Sequence, residues 1–126
     1  MSHFTRVATK MVDRELLAKS LHGLGMDVQR GGVVRGWGGK TATADLVVGS
    51  GSPGYDIGFV RQGKSYVMIA DWYGIRDHTQ PNLLRQIAAR YAYEAALARF
   101  AASGFAKAEE SVDAEGTVRL VLRRYS

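Results

Sequence analysis

Apolar residues recur along this chain at two intervals, and the interval switches several times. After Asp13, Leu17, Leu21 and Leu24 follow at spacings of four and three, which is one face of a helix. Asp13 can accept bonds from the free N–H groups of a first turn, and Glu15 places negative charge there. The pattern predicts a helix from near Asp13 that closes at Gly23 or Gly25. A longer helical pattern runs from about Pro81 to Ser103. Leu84, Ile87, Ala88, Tyr91, Ala95, Ala98 and Ala102 make its apolar stripe, while Arg85, Arg90, Glu94 and Arg99 decorate other faces. Pro81 suits a first helical position, and Gly104 closes the run.

Elsewhere the interval is two. The segment up to Lys10 alternates weakly through Phe4, Arg6 and Ala8, as an edge strand would. Short strands are expected at Asp27 to Arg30, Val33 to Trp37, Ala44 to Val48, Tyr55 to Val60 and Tyr66 to Ala70. The last two flank Gln62-Gly63-Lys64, a hairpin signature. Tyr55, Ile57 and Phe59 share one face there, and Asp56 and Gly58 share the other. A final hairpin is expected from Phe105 to Val112 and from Thr117 to Tyr125, turning at Asp113 to Gly116. Connections this short favour antiparallel neighbours. The expected fold is α+β: a single domain over residues 1–126, with a twisted, mainly antiparallel sheet of about five to seven strands and two helices on one face.

Composition sharpens this in three ways. Of the 15 glycines, twelve fall between Gly23 and Gly63, and with only two prolines that half reads as strands joined by tight turns. There is no cysteine among the 126 residues, which removes disulfides, thiolate metal sites and cysteine nucleophiles together. No apolar run reaches the length of a membrane span, and Met1 to Arg6 lacks the apolar stretch of a signal peptide, so a cytoplasmic location is expected.

Seven motifs in order resemble a known family: Met1-Ser2-His3-Phe4, Leu24-Gly25, Val34-Arg35-Gly36-Trp37, Tyr55-Asp56-Ile57-Gly58-Phe59, Ala70-Asp71-Trp72-Tyr73-Gly74, Arg90-Tyr91 and Gly104-Phe105. Together they are similar to the hypothetical chloroplast reading frame 35 family, also called domain of unknown function 1257. The likeness runs from Ser2 to near Arg124. That family occurs in algal plastids, cyanobacteria and other bacteria, and it brings no established reaction or catalytic set. Its bacterial genes often lie near those of AAA-type ATPases, an association rather than a mechanism, and the resemblance offers such an enzyme as one candidate partner. The Gly49-to-Gly54 turn departs from the family's pattern by being longer and richer in glycine.

Candidate chemistry is sparse. Asp56 and Asp71 are expected at the same open end of the Tyr55–Ala70 hairpin, with Asp77 and His78 nearby in sequence. Two carboxylates there could hold a cation or divide acid and base roles. The plainer alternative is that each accepts turn N–H bonds or pairs with an arginine such as Arg35. His3, His22 and His78 show no ligand spacing, and neither a metal nor a cofactor is expected. Gly36-Trp37-Gly38-Gly39-Lys40-Thr41 ends like a phosphate-binding loop, but Val34 stands where the pattern needs glycine and a strand follows where it needs a helix.

The net charge of +5, with Arg30, Arg35, Lys40, Arg61 and Lys64 among Trp37, Tyr55 and Tyr66, fits a surface for RNA or single-stranded DNA. It equally fits a soluble protein with core aromatics. Trp37, Trp72 and Tyr73 lie beside glycines, as partner anchors or as packing residues. With no complete nucleophile, metal or cofactor set, the leading expectation is an accessory or interaction protein rather than a self-sufficient enzyme. Its partner-facing surface would be Arg35, Trp37, Trp72 and Tyr73.

Overall fold

The computed structural model describes residues 3–124. Met1 and Ser2 of the first motif and the Tyr125 end of the last expected strand lie outside them. The chain divides into two compact units, residues 1–91 and 92–126. In order, the elements are β1 (Thr5–Ala8), α1 (Arg14–Gly23), β2 (Val28–Arg35), β3 (Thr41–Gly49), β4 (Asp56–Gln62), β5 (Ser65–Ala70), α2 (Gln80–Ala102), β6 (Phe105–Val112) and β7 (Val118–Arg124). Short helical turns at Trp37–Gly39 and Trp72–Gly74 follow β2 and β5. The fold is α+β, with one five-stranded antiparallel sheet in the order β1-β5-β4-β3-β2 and a separate two-stranded sheet, β6-β7.

The first unit has a core on each side of its sheet. On one face, Leu46, Val48, Ile57, Phe59, Tyr66, Met68 and Ala70 meet Leu17 and Leu21 of α1 and Leu83 and Ile87 of α2. Every second residue of the paired strands therefore lies under a helix, as the two-residue period requires. Asp13 caps α1 by accepting a bond from the Leu16 N–H at 3.0 Å. The α2 stripe is centred one residue earlier than its spacing suggested: Leu83 is fully buried, while Leu84 is only partly so.

The opposite face holds a smaller core of Val34, Ala44, Val47 and Ile69. It exists because the β2–β3 ribbon folds over. The β3–β4 ladder ends at Leu46 and Phe59, and beyond it the Asp45 carboxylate accepts the Arg61 N–H at 2.7 Å. Freed from β4, the ribbon brings Val34 and Ala44 against the back of β4. Gly58 makes this approach feasible, since a Cβ there would lie 2.2 Å from Val34 Cγ2 and 2.8 Å from Ala44 Cβ.

Two expected strands, Asp27 to Arg30 and Val33 to Trp37, are one continuous β2. Its register with β3 is the same on both sides of Gly31, from Val28 opposite Val48 to Arg35 opposite Thr41. The Gly31-Gly32 pair does not separate them, because both glycines take φ values open to them (77° and 151°) while staying in the strand. Trp37 belongs to the turn after β2, not to the strand.

In the second unit, residues 92–102 continue α2 and lead through Gly104 into the β6–β7 hairpin. Phe100 and Phe105 pack edge to face at 6.2 Å between centroids, and the Arg124 guanidinium lies over the Phe105 ring. Asp113 shapes the hairpin turn by accepting the Glu115 and Thr117 N–H groups.

Candidate functional site

Antiparallel pairing of Ile57 with Ala70 sets Asp56 and Asp71 at the same open end of the β4–β5 hairpin, as the sequence suggested. Both side chains fall on the sheet face that the β2–β3 ribbon covers. Asp56 accepts three bonds from Arg35: the backbone N–H at 3.0 Å, Nε–H at 2.7 Å and Nη2–H at 3.0 Å. Asp71 Oδ2 accepts the Trp37 N–H at 3.0 Å, and its Oδ1 accepts the Tyr73 N–H at 3.2 Å. The two carboxylates thus hold the alternate N–H groups of Arg35 and Trp37, pinning the end of β2 to the ends of β4 and β5. The Arg35 side chain holds the Asp56 carboxyl below its usual range, against the upward push of burial.

This arrangement corresponds to the plainer of the two readings of these aspartates. Each accepts N–H donors and is buried, although Asp56 also lines the depression beside Arg35. His78 lies elsewhere, in a depression lined by Leu24, Met26, Asp27 and Ser50. His22 lines another, with Glu15, Lys19 and Arg30. Among the described residues no group of three His, Asp or Glu side chains could hold a metal ion. The Gly36–Thr41 segment is a hairpin turn running into β3, without the helix a phosphate loop requires.

Three of the five basic residues offered for nucleic acid are engaged within the protein. Arg30 is bidentate to Glu15 at 2.7 and 2.9 Å, and Arg35 is taken by Asp56. Arg61 donates to the Val12 carbonyl and lies over the Tyr66 ring, which is itself fully buried.

The aromatics beside glycines separate cleanly. Trp72 packs partly buried against the helix-side core. Trp37 and Tyr73 point outward, 47% and 70% exposed. The Asp71 carboxylate that fixes both of their backbones is 1% exposed, so one buried group sets two outward rings. They flank a groove of about 710 Å³ whose other walls are Ser52, Pro53, Tyr55, Gly74, Arg76 and Asp77. Arg35 does not share it and lines a neighbouring depression with Val33, Val47 and Asp56.

Three connections build this groove and are tied together. The Ser52 hydroxyl accepts the Arg76 N–H at 3.1 Å, linking the β3–β4 loop to the segment after β5. The Tyr55 ring lies directly over Gly74, where a Cβ would come within 2.0 Å of it. Asp71 supplies the third tie, to the turn after β2. Sequence reading singled out Trp37 and Tyr73 and grouped Tyr55 with Trp37 on a basic surface, but missed Ser52 and Arg76 as their neighbours. The one available signal was Tyr55 at a strand start with a glycine, Gly74, just past the end of the strand it pairs with.

These observations define a small α+β protein with an aromatic groove and with its two hairpin-end aspartates bonded to backbone and arginine N–H donors. Residues 20–121 match the family described as protein of unknown function (DUF1257), and the chain belongs to that family. It is 35% identical to the uncharacterized protein ycf35 of Cyanophora paradoxa over 127 residues, covering 99% of this chain and 98% of that one. It is 32% identical to the uncharacterized protein ycf35 of Guillardia theta over 130 residues, again 99% and 98% of the two chains. No solved structure matches it. Among the described residues no helix is long and apolar enough to cross a membrane.

Proposed function

We propose that this protein is an accessory or interaction protein that presents the Trp37–Tyr73 groove to a protein partner. One observation carries the reading. Two large aromatic side chains are held outward, 47% and 70% exposed, by a single buried carboxylate bonded to both of their backbone N–H groups. Exposed aromatics on a rigid backbone bury much area on binding at little entropic cost, which is why such residues concentrate in binding hot spots. The commitment of Asp56 and Asp71 to N–H donors weighs against the alternative of an acid–base or cation site there. An AAA-type ATPase is the partner class to seek first, on the family resemblance alone. The compartment we assign is the cytoplasm, or the plastid in a plastid-bearing cell.

The test is affinity capture from the cells that encode the protein, comparing wild type with the Trp37→Ala/Tyr73→Ala double variant at matched folding. Loss of a discrete partner from the variant is expected. An identical set of captured proteins from both would sink the reading.

A further inference from the structure

We infer that the groove takes an extended, proline-rich peptide segment of the partner. This rests on the interaction reading above and names the chemistry of what docks. The groove offers three aromatic rings, Trp37, Tyr55 and Tyr73, together with the Pro53 ring, in about 710 Å³ of open space. A polyproline II segment is the ligand whose needs these groups answer. It makes no internal hydrogen bonds, so its carbonyls seek outside donors, while its prolines have no N–H to satisfy. The indole N–H of Trp37 and the phenol O–H groups of Tyr55 and Tyr73 are donors set at the margins of flat apolar faces. Those faces suit prolyl rings, and aromatic-lined grooves are where proline-rich segments generally dock.

Charge decides between this ligand and a single-stranded nucleic acid. The lining holds one cation, Arg76, and one carboxylate, Asp77, so its formal charge cancels. A phosphate chain needs a cationic track, whereas an uncharged proline segment is matched by a neutral wall. Preorganisation points the same way. Asp71, Ser52 and the Tyr55–Gly74 contact cross-link the three connections before any ligand arrives. A stiff ligand meeting a stiff groove loses little conformational freedom on docking.

The experiment follows the two indole N–H signals by NMR while a proline decamer, or a decamer with two prolines three positions apart, is titrated into the full chain. Trp72, packed against the core, is the internal reference. The Trp37 signal should move and saturate while Trp72 stays still. Tyr73→Ala and Trp37→Ala should each weaken binding at least tenfold, with circular dichroism unchanged. Tyr73→Ala decides the matter if Trp37→Ala proves unfolded. No Trp37 shift at millimolar peptide, or unchanged affinity in a folded variant, overturns the inference. So does an oligouridine decamer that moves Trp37 more strongly and loses binding steeply with salt. Competition separates this inference from the reading beneath it. A captured partner that depends on Trp37 but is not displaced by saturating proline peptide leaves the docking surface standing and removes the proline chemistry. A proline peptide seated in the groove, with partner capture indifferent to Trp37, does the reverse.

Discussion

Strands β4 and β7 have the same length, seven residues, and a similar alternation of side chains, and both pair antiparallel, β4 on both edges and β7 on one. Yet the first four residues of β4 are all buried, while five of the seven in β7 are exposed and none is buried. Pairing on one edge therefore removes little surface from water. What separates the strands is a second paired neighbour and what lies on their faces: β4 has α1 and α2 on one side and the folded-over β2–β3 ribbon on the other. A two-stranded ribbon without such cover is marginal by itself.

The sharpest way to break that contrast is a matched pair of truncations. Phe59→Ala on β4 should cost about 3–5 kcal/mol of stability, because it opens a cavity in the larger core. Val121→Ala on β7 should stay within about 0.5 kcal/mol. Chemical denaturation of both variants checks this, and equal costs would abolish the distinction.

A middling effect is expected at the ribbon. Gly58→Ala drives a methyl into Val34 and Ala44 and should destabilise by about 1–3 kcal/mol. Adding Val34→Ala should recover part of that loss, since the two sites share one contact. A strictly additive double variant would show that the ribbon does not rest on β4.

The smallest effect is the pH response. The Asp56 carboxyl is held down by the Arg35 side chain, so its folded pKa lies below its unfolded one. Its contribution is complete above the unfolded value, near pH 4, and is lost as pH falls through the lower folded value. Arg35→Gln should therefore flatten the acid limb of the stability curve below about pH 4 while changing its neutral slope little. In the exposed hairpin, Lys107→Gln removes a solvent-facing contact to Glu110 and should leave that limb unchanged. An unaltered limb in Arg35→Gln would mean that the Asp56 clamp adds no stability.

Much of this was legible from one-dimensional spacing. The Asp13 cap, the Gly63 hairpin and the shared face of Tyr55, Ile57 and Phe59 all depend on neighbours within a few residues. The convergence of Asp56 and Asp71 was legible for the same reason, because a tight turn between two strands dictates which residues stand opposite. What those carboxylates bind was legible only as one of two choices. Selecting between them required knowing that β2 crosses the sheet, which depends on the ribbon leaving β4 at Asp45. The α2 stripe misread Leu83 because a helical period leaves the direction of the core free by one residue.

Local chemistry by itself thus determined the helices, the strand partners across short turns and the set of residues worth suspecting. Tertiary structure alone decided that Trp72 turns inward while Trp37 and Tyr73 turn outward, that Tyr55 and Arg76 join them, and that the suspected aspartates serve as clamps. The physical reason is range. Hydrogen-bond periodicity acts between near neighbours in the chain, whereas burial and groove formation depend on which distant segments exclude water from one another.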